Sequence, residues 1–258
     1  MRRLFLFMLA ITASLYTTSC LVIEDTLNLN ADGSGTKVTM IDLSDMLSNP
    51  MMGMALQENM KDGESEVKDS SFLLVDELAP LNPQWTAEEL ELVSRIKGRI
   101  FVDGEAGEGM VTSTFRFDDL SEIARVGDII AAANQPEESE GGPQGMASGL
   151  SGAGGIFKTS FDLKKGLLSM NSSVPEDFKN PLVNEELGEE AMGMMKMMFE
   201  DAAFVYTINL PGKVKKVKGF EGHEVEGQSI VQVFDLLEMI EKPEMMTPAL
   251  TGEIKFKK

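Results

Sequence analysis

A chain whose single cysteine sits at position 20, behind a short apolar run, has neither disulfides nor thiolate-rich metal sites to hold its shape. Whatever it folds into must be held by a packed core. With 258 residues, 43% of them hydrophobic, that core can serve one large domain or two small ones. The run itself, Leu4 to Tyr16, follows Arg2 and Arg3. It is too short to cross a bilayer, which takes about 20 residues, but suits a secretory signal core. Thr17-Thr18-Ser19 puts small residues directly before Cys20.

That arrangement resembles the lipobox of bacterial lipoprotein signals, in which the cysteine becomes the acylated first residue of the mature chain. An odd thiol at a cleavage site in an oxidising compartment is otherwise a liability. Acyl chains explain it, and several chains together anchor stably. Residues 1–19 are therefore expected to be a signal peptide and Cys20 the lipidation site, with the membrane as partner. By analogy with other lipoproteins, Leu21 rather than Asp after the cysteine favours the outer membrane of a bacterial envelope, here on its periplasmic face. Glu24-Asp25 echoes the acidic surface-export signal of some lipoproteins. No later run is long enough to cross a membrane. The body should be soluble and tethered, with almost no spacer, because Leu27-Asn28-Leu29-Asn30 already alternates like a strand.

Charge excludes one partner class. Asp and Glu total 42 against 23 Lys and Arg, a net charge of -19, which repels phosphate backbones and argues against nucleic acid. Catalytic signatures do not appear: there is no GxSxG elbow, HExxH helix or P-loop. Gly152-Ala153-Gly154-Gly155 lacks the third fingerprint glycine, since Phe157 stands there. The 1 histidine, His223, lies in a Gly- and Glu-rich loop. A non-enzymatic chain without cofactor or metal is expected. Asn28-x-Asn30-x-Asp32-Gly33 partly fits a calcium loop, but Thr39 stands where a bidentate Glu belongs, so a hairpin turn needs less.

Along the chain, Thr36 to Asp42 reads as the strand returning from that turn. Ser44 to Met60 looks helical, interrupted by Pro50. Ser71 to Leu78 is strand or short helix. Thr86 to Lys97 opens with Thr-Ala-Glu-Glu and reads as a helix. Arg99 to Val102 and Met110 to Phe117 read as strands, and Leu120 to Ala133 as a helix. Residues 135–155 are low in complexity and read as a Gly-rich flexible linker between regions 20–134 and 156–258. Beyond it, Phe157 to Leu163 and Leu167 to Ser172 suggest a hairpin, and Glu185 to Asp201 a helix. Ala203 to Leu210, Val225 to Phe234 and Glu253 to Lys257 read as strands. Hairpins outnumber parallel crossovers, which argues α+β, mainly antiparallel sheet packed with Met-rich helices.

A local pattern recurs. Asp42-Leu43-Ser44-Asp45, Asp119-Leu120-Ser121-Glu122 and Asp235-Leu236-Leu237-Glu238 each end a strand in Asp, with an acid three residues on. Such an Asp accepts from exposed N–H groups at a helix start, so these are read as capped strand-to-helix junctions. Duplication of one unit is the alternative.

Two residue classes are candidate binding groups. Met192, Met194, Met195 and Met198 fall on one broad apolar helix face, which is either core or the wall of an apolar-ligand cavity. Lys213, Lys215, Lys216 and Lys218 form a basic patch in an acidic chain, followed by Lys242, Lys255, Lys257 and Lys258. Lysines there either protect an edge strand or contact anionic lipid headgroups.

Tyr206 to Val214, ending in Leu-Pro-Gly-Lys-Val, with Ser229 to Phe234 and Ile254-Lys255-Phe256, resembles the C-terminal strands of LppM-type bacterial lipoproteins and of lipoproteins from Bacteroidetes-like bacteria. The resemblance implies a curved α/β fold associated with lipid binding. The expectation from all of this is an envelope lipoprotein with a non-catalytic binding or structural body, whose partner is another envelope protein or a lipid. The alternative is a carrier of lipid or another apolar ligand with a Met-lined cavity.

Overall fold

The computed structural model describes residues 21–48, 67–133, 156–176, 178, 180, 193, 196 and 199–257. Residues 1–19, expected to be a signal peptide, Cys20, the expected linker over 135–155, and Met192, Met194, Met195 and Met198 lie outside the described residues. So do most of the expected 185–201 helix, the far end of the 44–60 helix, and Lys258.

Alternation of apolar and polar residues builds the strands of the chain. The first are β1 (Val22–Leu29), β2 (Gly35–Asp42), β3 (Val67–Leu73), β4 (Ile96–Asp103), β5 (Glu108–Phe117) and β6 (Lys158–Lys164). They are followed by β7 (Leu167–Ser173), β8 (Ala203–Asn209), β9 (Val214–Gly219), β10 (Glu224–Glu226), β11 (Ser229–Asp235) and β12 (Gly252–Phe256). The helices are short: α1 (Ser44–Ser48), α2 (Leu74–Leu78), α3 (Ala87–Ser94), α4 (Ser121–Ala133), α5 (Leu236–Glu241) and α6 (Pro243–Met246). The fold is α+β, as its hairpins suggest.

The strands form an 8-stranded sheet in the order β10-β11-β8-β1-β2-β5-β4-β3 and a 4-stranded sheet in the order β6-β7-β12-β9. Their inner faces share one apolar cluster, in which Phe117, Ile208, Leu168 and Ile254 are each 0% exposed. Neighbours pair antiparallel except β1 and β8, which run parallel from Val22↔Ala203 to Asn28↔Asn209. The 135–155 segment thus divides the sequence but not the sheet. Strands from both sides of it lie side by side at the sheet's centre.

The hairpin after β1 closes in a tight turn. Gly33 takes a φ of 98°, and Asp32 Oδ1 accepts from the N–H and hydroxyl of Ser34. Gly35 has no room for a side chain. A Cβ there would lie 2.0 Å from the Asn28 carbonyl oxygen and 2.6 Å from the Phe117 ring, which covers this position from β5.

All the strand-to-helix junctions read from the Asp-Leu pattern are capped. Ser44 N–H donates to Asp42 Oδ1 at 2.9 Å, Ser121 N–H to Asp119 Oδ1 at 2.8 Å, and Glu238 N–H to Asp235 Oδ1 at 2.8 Å. Leu120 and Leu236 bury at 5% and 2% exposure and pin each helix start to the core.

Two boundaries differ from the sequence reading. The helix expected to reach Lys97 ends at Ser94, and β4 starts at Ile96. Pairing of Ile96 with Phe115 and of Lys97 with Thr114 outweighs the local helical spacing. The start was legible: Thr86 and Glu89 form a reciprocal capping box. The expected strand over Val225 to Phe234 is instead the hairpin β10–β11, turning at Gly227 with φ 66°. The ambiguous Ser71 to Leu78 stretch is both things in turn, the end of β3 and then α2.

Candidate functional site

The sequence places its lipidation site one residue before the described chain. Leu21 is 1% exposed, and its carbonyl accepts from Ala203 N–H at 2.9 Å. The fold therefore holds the backbone at position 21 against the start of β8. Around this end lie Asp42, Asp103, Glu105, Glu108 and Asp235, at or beside the strand ends that meet the start of β1. Lys68 is the basic residue on the paired strands there. Glu24 and Asp25 are built into β1, with Asp25 5% exposed.

The lysines gather at the other end. β1 is 8 residues long, about 25 Å at roughly 3.3 Å per residue. Its far end meets the small sheet: a side chain at Gly33 would sit 3.8 Å from Leu163 of β6. β9 starts nearby, where Val214 N–H donates to the Gly227 carbonyl at 3.1 Å. Lys257 N–H donates to the Lys213 carbonyl at 3.0 Å, and Phe256 N–H to the Gly166 carbonyl at 2.9 Å. These bonds bring the β6–β7 turn, the end of β12 and the start of β9 together. Lys164, Lys165, Lys213, Lys215, Lys216, Lys255 and Lys257 are all exposed there.

β9 is an edge strand of its sheet, as one reading of Lys213, Lys215, Lys216 and Lys218 requires. Register sorts these lysines further. Lys216 stands directly opposite Lys255 on β12, while Lys218 stands opposite Glu253 and meets it at 3.9 Å. Lys164 pairs with Asp162 at 2.5 Å. Among the described residues, no carboxylate pairs with Lys165, Lys213, Lys215, Lys216, Lys255 or Lys257.

A polar row inside the sandwich was not foreseen. Gln232, Tyr206, Asp25, Thr39 and Ser113 stand side by side across β11, β8, β1, β2 and β5, on the large sheet's inner face. Asp25 is held by Lys37 Nζ at 3.1 Å and by the Thr39 hydroxyl, which donates to it at 3.2 Å. The Tyr206 hydroxyl lies 3.8 Å from the Met170 sulfur on β7. Burial, and secondarily the charge of Asp25, push its phenol above the ordinary tyrosine range and keep it neutral. Gln232 Nε2 donates to the carbonyls of Ala249 at 2.7 Å and Glu221 at 3.2 Å, while its Oε1 is buried without a partner. The row ties β8 and β11 to the loops of the small sheet. Reading Ile23, Asp25, Leu27 and Leu29 at a period of two would have put Asp25 on the inner face.

A second polar chain lines the other face, at the far end of β1. Ser229 donates to Asn209 at 2.6 Å, Asn209 to Asn28 at 2.8 Å, and Asn28 to Thr36 at 3.2 Å. His223 lies in its loop with Nδ1 2.6 Å from the Phe220 carbonyl oxygen. On the large sheet's outer face, Arg99, Phe101, Met110 and Thr112 line a shallow recess of about 220 Å³. There Asp69 accepts two bonds from Arg99 at 2.9 Å, and the guanidinium stands 6.0 Å from the centre of the Phe101 ring. Among the described residues no helix is long and apolar enough to cross a membrane, and no three His, Cys, Asp or Glu residues converge as a metal site.

No family model and no curated protein matches the chain. Among solved structures, it is similar to the NMR structure of the folded domain of the Mycobacterium tuberculosis LppM protein. The TM-score is 0.37 and the identity 8%, over 93% of this chain and 92% of that one.

Proposed function

We propose that the chain is an envelope lipoprotein, acylated at Cys20, whose α+β body is a non-catalytic binding or structural module. The observation that carries this reading is the position of β1. A central strand, paired with β2 on one side and β8 on the other, begins one residue after Leu21, which is itself buried. A signal-cleaved chain would therefore present its cysteine at the surface of the fold with no spacer. Acylation there holds the body against the bilayer. Leu21 in place of Asp supports an outer-membrane address, and the burial of Asp25 favours the periplasmic face over surface export.

Labelling cells with an alkyne fatty acid tests this reading. The wild-type chain should carry the label and fractionate with membranes. Cys20→Ala should lose the label and move to the soluble fraction. Wild-type chain recovered unlabelled and soluble would contradict the proposal, as would label that persists in Cys20→Ala.

A further inference from the structure

The lysines at the far end of the small sheet cost the fold something it could avoid. Like charges directly opposite on neighbouring strands repel, and Lys216 faces Lys255 in this way. Protection of an exposed edge explains Lys213, Lys215 and Lys216 on or beside β9. It does not explain Lys255, because β12 is an inner strand between β7 and β9. Nor does it explain Lys165, whose φ is 50° in a two-residue turn with Gly166. That left-handed position suits Asn or Gly, and a lysine there is strained. A chain with 42 acidic residues nevertheless leaves this group of lysines without carboxylate partners among the described residues.

Resting on the lipoprotein reading above, we propose that this lysine face lies on the same bilayer that holds the Cys20 anchor and binds its anionic phospholipid headgroups. The anchor leaves one end of β1 and the lysines crowd the other end, so attachment at both lays the long axis of β1 along the membrane. The alternative posture, upright on the anchored end, presses Asp42, Asp103, Glu105, Glu108 and Asp235 towards the headgroups. Lying down removes those acids and presents the exposed cations of the β6–β7 turn, β12 and β9. An array spread over three segments fits a surface better than a pocket-bound ligand. Each lysine contributes little, but tethering makes the second contact intramolecular, so weak attraction suffices. Lys218 and Lys164, already paired with Glu253 and Asp162, contribute least.

The test uses the acylated full chain in vesicles. Acylation consumes the 1 native thiol, so an introduced cysteine is a unique dye site. Asn171→Cys labels the small sheet's outer face, and Ser71→Cys the large sheet's outer face. Vesicles are phosphatidylcholine alone or about three parts phosphatidylcholine to one of phosphatidylglycerol, with a headgroup quencher. The proposal expects strong quenching at position 171, not at 71, in the anionic vesicles only. Quenching should fade in high salt and in the variant with Lys213, Lys215, Lys216 and Lys255 all changed to Gln.

Vesicle-bound chain whose position 171 stays unquenched overturns the lysine proposal and leaves the tether standing. Chain that binds no neutral vesicle defeats the tether reading. The lysines are then read alone through Cys20→Ala. That chain should bind vesicles of pure phosphatidylglycerol at low salt and lose at least about tenfold in affinity with the Gln variant. No such loss overturns the proposal. Lysine-dependent binding to soluble polyglutamate, with no approach to vesicles, would overturn it in favour of an acidic polymer.

Discussion

The two sheets differ in which charges they leave without a partner. In the large sheet and the helices beside it, Lys37 meets Asp25, Arg99 meets Asp69, and Arg95 meets Glu91, Asp118 and Glu122. In the small sheet, Lys164 meets Asp162 and Lys218 meets Glu253, but Lys216 stands directly opposite Lys255. Pairs of opposite charge help fix where strands and helices sit. The Lys216–Lys255 opposition stores repulsion on an exposed face instead. The difference separates charges that a fold needs from charges that need a partner.

The comparison first requires that the two sheets be one folding unit. Phe117→Ala in the large sheet and Ile254→Ala in the small one each empty a fully buried position. Losses of about 3–5 and about 2–5 kcal/mol are expected. Denaturant unfolding should stay a single transition in both variants, because both side chains belong to one cluster. Two separated transitions in Ile254→Ala would split the sheets into independent units.

Next in size is the half-buried pair of Asp25 and Lys37. Asp25→Ala leaves Lys37 and the Thr39 hydroxyl without this partner and should cost about 1–3 kcal/mol by the same measurement. A neutral result would remove Asp25 from the structural class. Smaller again is the surface chain from Ser229 to Thr36. Asn209→Ala breaks two of its bonds and should cost about 1 kcal/mol, read as a shift in the denaturation midpoint.

Acid should reach the Asp119 junction. The Ser121 hydroxyl and N–H hold the Asp119 carboxyl below its ordinary range. Stability from that cap is present above the unfolded carboxyl's pKa and is lost as pH falls through the lower folded value. Asp119→Asn should therefore flatten stability against pH in the acid range and leave it unchanged at neutral pH in slope. A titration in which wild type and Asp119→Asn run parallel below the ordinary carboxylate range would contradict this.

How much of this was readable depends on distance along the chain. The Asp42, Asp119 and Asp235 caps were legible because a cap is settled within a few residues. The start of the helix at Thr86 was legible for the same reason. Its end was not, because Ile96 answers to Phe115 on β5 rather than to its own neighbours. The parallel pairing of β1 with β8 joins residues far apart in sequence and left no local mark. The lysine patch was visible as composition. Its division into paired Lys218 and opposed Lys216 and Lys255 needed the register of β9 against β12. Asp25 was missed because the acid was read as part of an exposed Glu24-Asp25 pair, when the period of two already placed it with Ile23 and Leu27.

The central claim is that the far-end lysines do not hold the fold together. The melting temperature in solution of the variant with Lys213, Lys215, Lys216 and Lys255 all changed to Gln tests it most directly. Relief of the Lys216–Lys255 repulsion predicts a melting temperature equal to the wild-type value or slightly above it, most clearly at low salt. A fall of several degrees would make these lysines structural and contradict the account.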